Sequence, residues 1–178
     1  MPELSSETLQ QRLRAIRMVI FDVDGVLTDG RLLLGDDGQE YKAFNSKDGH
    51  GMRMLQDSGV ALAILTGRRS QVVARRAADL GIEHVIQGRR DKLPAFEELL
   101  ETTGHAPESV AYVGDDVVDL PVMRRVGLAI AAADAHPLVH RHAHWQTPSP
   151  GGRGAGRDVC ELIMEAQGTL DDMMAHYL

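Results

Sequence analysis

Residues 18–30 read MVIFDVDGVLTDG. Met18 to Phe21 is apolar without alternation, and Asp22, Val23, Asp24 and Gly25 follow at once. Such a run suits a strand buried on both faces, as in a parallel sheet covered by helices on both sides. The acids then mark the carboxyl end of the strand, where it meets solvent. The same signature recurs downstream. Residues 60–65 (VALAIL) lead into Thr66-Gly67-Arg68, and residues 109–113 (SVAYV) lead into Gly114-Asp115-Asp116. Shorter apolar runs at 83–86 and 128–130 read as further strands.

Helical segments separate these strands. Residues 48–58, ending at Gly59, then 70–80, stopped by Gly81, then 92–102, 120–126 and 158–167 carry helical spacing or stop signals. A first helix over 5–15 takes Ser5 or Ser6 as its N-cap. One stretch breaks the alternation. Residues 31–34 and 40–44 flank Gly35-Asp36-Asp37-Gly38, turn chemistry that predicts a β-hairpin. The rest predicts an α/β fold, a single doubly wound, Rossmann-like domain over 1–178 with a mainly parallel sheet. The hairpin at 31–44 protrudes from it, and a flexible glycine-rich tail and a helix occupy 148–178. About forty residues separate Asp24 from Thr66 and about twenty-five separate Thr66 from Lys92, which leaves no room for a large cap domain.

Composition narrows the function classes. Of 178 residues, 43% are hydrophobic and 25% charged, proportions of a globular chain and not a disordered one. A net charge of −7 and 4% aromatics argue against a nucleic-acid partner and against acidic membranes. No apolar run reaches membrane-spanning length, the first residues lack an apolar signal core, and the single Cys160 allows no intrachain disulfide. These features point to a cytoplasmic, reducing setting.

In open parallel sheets, ligands sit beyond the carboxyl ends of the strands. That rule brings three polar strand ends to one crevice: Asp22 with Asp24, Thr66 with Arg68, and Asp115 with Asp116. Asp22 and Asp24, two apart where the chain turns at Gly25, can divide attack and proton transfer between them. Asp115 completes a carboxylate cluster, which is costly without a cation and suits Mg2+ through hard oxygen ligands. The Thr66 hydroxyl and Lys92 ammonium can hold phosphoryl oxygens. The pattern points to phosphomonoester hydrolysis and names no substrate. Each residue alone has a plainer reading: a DxD pair is a common solvated turn, Asp115 or Asp116 a helix cap, Lys92 a surface charge. Their weight comes from the constellation. His140, His142 and His144 alternate and read as a solvated strand face ahead of a zinc site.

The same residues carry a resemblance. FDVDGVLTDG (21–30), Thr66 in ILTGR, Lys92 in RRDKL, and Asp115 and Asp116 in VGDDVVD resemble, in order and spacing, the four motifs of haloacid-dehalogenase-like phosphatases. FNSKDGHGMR (44–53), LTGRRS, QGRRDKL, AYVGDDVVDLPVM, ADAHPL and GGRGAGRDVCELI extend the resemblance to the family of 3-deoxy-D-manno-octulosonate 8-phosphate phosphatases. It implies that Asp22 is the nucleophile forming an aspartyl-phosphate, and that Asp24 is general acid and then base. It implies Mg2+ held by Asp22, Asp115 and the backbone carbonyl of Asp24, with Asp116 and Asp119 supporting these ligands from behind. Lys92 would hold the phosphate and orient Asp22. Asp24, Asn45, Ser46, Lys47, Asp48, Gly49, Arg53, Arg68, Arg76 and Lys92 lie where that family meets its sugar-acid phosphate. A homotetramer is implied too, its hairpins packed about a central axis so that neighbours help close capless sites. The tail at 151–156, with Arg153 and Arg157, is then expected to reach an active site and to be dispensable for folding. A phosphatase for a nine-carbon sugar acid 9-phosphate and a non-catalytic ligand-binding or assembly module are the alternatives.

Overall fold

Strand β1 (Met18–Phe21) runs through the middle of the fold, fully buried, with a parallel partner on each side. The computed structural model describes residues 6–178. Helix α1 (Ser6–Ala15) precedes β1, and the cap expected at Ser5 lies outside the described residues. After β1 come an antiparallel hairpin, β2 (Leu33–Leu34) and β3 (Glu40–Tyr41), and helix α2 (Ser46–Asp57). One wing follows as β4 (Ala61–Thr66), α3 (Gln71–Asp79), β5 (His84–Gln87) and α4 (Lys92–Thr103). The other is β6 (Val110–Gly114), a 3-10 turn over Val117–Asp119, α5 (Leu120–Met123), β7 (Leu128–Ala131), α6 (Pro137–His142) and β8 (Trp145–Gln146). Helices α7 (Ala155–Gln167) and α8 (Leu170–Ala175) close the chain. The six-stranded sheet has the order β5-β4-β1-β6-β7-β8 and is parallel throughout. The chain therefore winds outward from β1 in both directions, and no large cap interrupts it.

Alternation along β1 divides the core in two. Val19 and Phe21 face the layer that supplies Leu13, Leu55, Ala77 and Ile163 from α1, α2, α3 and α7. Met18 and Ile20 face Phe96, Val122 and Val139 from α4, α5 and α6. Among the described residues, no helix is long and apolar enough to cross a membrane.

Several elements depart from their expected form, each for a local reason. Asn45 accepts a hydrogen bond from the Lys47 N–H at 2.8 Å and so starts α2 ahead of Asp48. His140 and His142 lie on a helix, because Pro137 sits in its first turn and the His136 Nδ1 accepts the Leu138 N–H at 3.1 Å. Trp145–Gln146 adds an edge strand, and Leu170–Ala175 a last helix, where the sequence analysis assigns neither. The glycine-rich segment is docked, not loose. The Gly152 N–H donates to the Val26 carbonyl at 2.9 Å and the Gly151 N–H to Asp134 Oδ1 at 2.9 Å. A Cβ at Gly151 would stand 2.0 Å from the Gly25 carbonyl oxygen, so only glycine allows this approach.

The tail is also part of the core. Asp48 of α2 accepts the Arg157 N–H at 3.0 Å and caps the start of α7 from across the fold. Helix α7 then buries Val159, Cys160, Ile163 and Met164. The expectation that this tail is dispensable for folding is thus corrected: its removal uncovers one layer of the core. Truncation before Gly151 is expected to abolish the cooperative thermal transition followed by circular dichroism. Ile163→Ala is expected to lower the unfolding free energy by about 2–5 kcal/mol in a urea titration.

Candidate active site

Strands β1, β4 and β6 are neighbours in register, with Phe21 opposite both Ile64 and Val113. Asp22, Thr66 and Asp115 therefore leave the sheet side by side. They line a cleft of about 480 Å3 together with Asp24, Gly30, Leu32, Gly67, Arg68, Arg90, Lys92, Asp116 and Val118.

Lys92, at the start of α4, is 2% exposed. Its ammonium donates to Asp22 Oδ2 at 2.9 Å, to Asp119 Oδ1 at 2.6 Å and to the Tyr112 hydroxyl at 3.1 Å. The Tyr112 hydroxyl donates in turn to Asp119 Oδ1 at 2.6 Å. Asp119 Oδ2 accepts the Asp115 and Asp116 N–H groups at 3.0 and 3.1 Å. Asp22 Oδ1 accepts the Val23 N–H at 2.7 Å. Burial pulls the Lys92 pKa down, but the charges of Asp22 and Asp119 outweigh it and the net shift is upward. Burial pushes Asp22 up to about 6, against the pull of Lys92 and with Asp119 adding to the rise. Asp115 is pushed up to about 8, by burial first and then by repulsion from Asp22, Asp119 and Asp116. Burial and Asp119 raise the Tyr112 hydroxyl well above its ordinary range, so it stays a neutral donor.

Asp22, Asp115 and Asp119 each offer an oxygen within 4.8 Å of the others. Proximity alone joins these three, yet both oxygens of Asp119 are already taken by Lys92, Tyr112 and two backbone N–H groups. Asp115 differs. Its Oδ1 is buried without a hydrogen-bond partner. Gly25 makes the room, since a Cβ there would fall 2.0 Å from Asp115 Oδ2. A buried carboxylate oxygen lacking a donor, close to a second carboxylate, fits a hard divalent cation.

Asp24 diverges from Asp22 after the strand ends. Its Oδ1 pairs with Lys42, and its Oδ2 lies 3.9 Å from Arg68 Nε. Lys42 and Arg68 also meet Glu40, at 3.4 and 3.0 Å. Slight burial would lift the Glu40 carboxyl, but hydrogen bonding from Arg68 and the charge of Lys42 hold it below its ordinary value.

Of the residues expected to meet substrate, Asp24, Arg68 and Lys92 line the cleft; the others do not. Asn45 caps α2, and Ser46 and Lys47 face solvent. Asp48 is buried against the start of α7. Gly49 lies under Arg76, whose Nη2 would be 2.1 Å from a Cβ there. Arg53 donates to the Leu80 carbonyl at 3.0 Å, at the end of α3. Asp116 sits on the cleft wall and caps the turn after β6, accepting the Val117 N–H at 2.7 Å. Arg153 lies 3.8 Å from Asp29 and Arg157 2.5 Å from Glu161, and neither lines the cleft. Sequence reasoning passed over Lys42, Arg90, Leu32, Val118 and Tyr112. For Lys42 a signal exists: Glu40 and Lys42 are two apart on a strand arm and share a face, with Tyr41 on the other. For Tyr112 the only signal is that a buried hydroxyl needs a partner.

In the folded, cation-free chain Asp115 keeps its proton up to about pH 8, whereas an unfolded aspartate loses it near its ordinary value of 3.8. Between these values the folded state binds more protons, so this group's contribution to stability falls as pH rises. In EDTA, the Tm of the native chain minus that of Asp115→Asn is expected to decline from about pH 4 to about pH 8. Binding of a divalent cation at neutral pH, tested with Mg2+ as the probe, should release a proton, read by calorimetry in buffers of different ionisation enthalpy. A pH-independent Tm difference together with no proton release would contradict this account.

Comparisons with known proteins agree with the chemistry of the cleft. A model of the haloacid dehalogenase-like hydrolases matches residues 39–127. The 3-deoxy-D-manno-octulosonate 8-phosphate phosphatase KdsC of Escherichia coli (strain B / BL21-DE3) is 51% identical over 167 residues, covering 94% of this chain and 89% of that protein. A solved structure of 3-deoxy-D-manno-octulosonate 8-phosphate phosphatase from Moraxella catarrhalis, in complex with magnesium ion, phosphate ion and KDO, is similar with a TM-score of 0.95. Its identity is 40%, with 98% of this chain and 100% of that one covered. The phosphatase of the same name from Yersinia pestis gives a TM-score of 0.91 at 52% identity, covering 93% and 89%. With this identity over nearly the whole chain and on the same fold, the chain belongs to the haloacid dehalogenase-like hydrolases and, among them, to the 3-deoxy-D-manno-octulosonate 8-phosphate phosphatase family.

Proposed function

We propose that this chain hydrolyses 3-deoxy-D-manno-octulosonate 8-phosphate to 3-deoxy-D-manno-octulosonate and phosphate, through an aspartyl-phosphate on Asp22 and with Mg2+ bound. The observation that carries the reading is the pairing of Asp22 with a buried Lys92 beside an Asp115 oxygen that has no donor. Asp22, Asp115 and the Asp24 backbone carbonyl would hold Mg2+, whose charge lets a phosphate dianion approach a carboxylate. The substrate assignment is supported by the names of the relatives and by the KDO bound in the Moraxella catarrhalis protein.

The chain's own groups divide the work. Lys92 and the Val23 N–H each engage one oxygen of Asp22 and hold its carboxylate in one orientation. An Asp22 oxygen attacks phosphorus, the bond from phosphorus to the sugar oxygen breaks, and Asp24 protonates that oxygen. Asp24, then a carboxylate, takes a proton from water. The water oxygen attacks phosphorus, the bond to Asp22 breaks, and phosphate leaves. The Thr66 hydroxyl and the cation would hold the non-bridging oxygens, while Lys92, whose three N–H groups go to Asp22, Asp119 and Tyr112, keeps Asp22 oriented. Arg68 is half exposed on the cleft wall and would receive the substrate carboxylate, which a guanidinium binds bidentately. Asn45, Asp48, Gly49, Arg53 and Arg76 support the site in this reading by starting α2 and holding it to α3 and α7, whereas Ser46 and Lys47 face solvent. One domain over residues 1–178 carries the whole reaction.

A homotetramer belongs to the same reading. Leu33, Leu34 and Tyr41 of the hairpin are 50%, 65% and 55% exposed, an apolar surface that a neighbouring hairpin would cover. The free, buried Cys160 suits a reducing cytoplasm, where the sugar acid would be made for the inner core of lipopolysaccharide.

Asp22→Asn is expected to lower phosphate release by at least about 10³-fold with the far-UV circular dichroism unchanged. Exhaustive chelation should stop the reaction, and Mg2+ should restore it. The kcat/KM on the octulosonate 8-phosphate should exceed that on a nine-carbon sugar acid 9-phosphate. Full activity in Asp22→Asn, or activity that survives chelation, would overturn the mechanism; the reverse substrate preference would overturn only the substrate.

A further inference from the structure

Asp24 lies two residues from Asp22 but has none of its partners. Its fixed partner comes from the hairpin. The Lys42 side chain is 1% exposed, less than the two carboxylates it joins, Asp24 at 19% and Glu40 at 15%. An exposed ion pair would fix little, because solvent and side-chain freedom compete with it. A buried ammonium has no such freedom and stays only where carboxylates surround it. Glu40 in β3 and Lys42 just after it point to the same side of the chain and meet at 3.4 Å, with Tyr41 turned outward between them. Glu40 thus holds Lys42 from one side and leaves it aimed at Asp24 on the other. Arg68 touches the same two carboxylates, yet it is 47% exposed and 3.9 Å from Asp24. Arg68 is therefore free to turn toward an anionic ligand, while Lys42 is not.

We propose that Lys42 is a positioning residue for proton transfer: from the root of the hairpin it fixes the Asp24 carboxyl group where that group, carrying its proton, must meet the leaving oxygen. This rests on the phosphatase reading above, in which Asp24 protonates the leaving oxygen. The hairpin then belongs to the catalytic apparatus, not only to the outside of the molecule. A lysine that merely pins the hairpin to the domain would show different kinetics, because its loss would harm every substrate alike.

The test compares two leaving groups on one protein preparation. A sugar alkoxide must be protonated as it departs, whereas p-nitrophenolate departs without help. The comparison uses kcat/KM, which ends at leaving-group departure and excludes later hydrolysis of the phospho-enzyme. Lys42→Met is expected to lose about 10²-fold on the octulosonate 8-phosphate and no more than about 3-fold on p-nitrophenyl phosphate. The ratio of the two does not depend on the fraction of protein that folds. Lys42→Arg, which keeps the charge, should recover part of the loss. In an Asp24→Asn background, Lys42→Met should add no further selective loss. Equal losses on both substrates, or no loss on either, would overturn the positioning role. A native chain that hydrolyses neither phosphate would instead overturn the phosphatase reading itself.

Discussion

One ammonium group held away from water organises the cleft. Lys92 sits between Asp22 and Asp119, and a charge so placed costs several kcal/mol unless carboxylates and hydrogen bonds surround it. Asp119 answers that need completely. It takes Lys92 and Tyr112 on one oxygen and the two backbone N–H groups after β6 on the other. Lys92 is therefore one cation shared between Asp22 and Asp119. Asp22 and Asp115 are left facing each other with less positive charge than they need, and both carboxyls are pushed upward. The deficit is local and has the size and hardness of a divalent metal ion. The need for a cation follows from one lysine being shared between two buried carboxylates, with none left for Asp115.

The parallel sheet explains why such a cluster can exist at all. Strands β4, β1 and β6 are adjacent and run the same way, so residues remote in sequence leave the sheet at one lip. With no cap domain, the outer wall must come from small parts: Leu32 before the hairpin and Val118 in the turn after β6. The tail contributes from behind. Gly151 and Gly152 press on Gly25 and Val26, the residues just after Asp24, and Asp48 ties the start of α7 to α2. The tail bears on the site through backbone packing under the Asp24 turn, without either of its arginines entering the cleft.

Much of this was legible in the sequence, because local pattern and strand direction determine it. Unalternating apolar runs ending in Asp22, Thr66 and Asp115 locate three strands and, through parallel topology, one crevice. What stayed illegible depends on long-range pairing. Nothing near Asp48 says that its carboxylate caps a helix more than a hundred residues away. Nothing near Arg53 says that it reaches the Leu80 carbonyl. The glycines at 151–154 read as a loose loop because glycine marks both flexibility and close approach, and only the fold decides between them. The histidines at 140 and 142 alternate, yet Pro137 starts a helix there, and a two-residue period means nothing off a strand.

Asp22 and Asp24 begin as equivalent side chains at one strand end and acquire different surroundings from their partners, which is how paired carboxylates in active sites come to differ. Asp22 is held by a lysine from a core helix, within the most buried part of the domain. Asp24 is held by a lysine from a hairpin whose strands are only two residues long. A hairpin of that size is marginally stable by itself, and its order depends on what packs against it. Asp22 is thus fixed by the fold, while Asp24 is fixed only as well as the hairpin is. A contact that covered Leu33 and Leu34 and ordered the hairpin would also order Asp24, and under the proposed mechanism association at that surface and turnover at the cleft would share one mechanical link through Lys42.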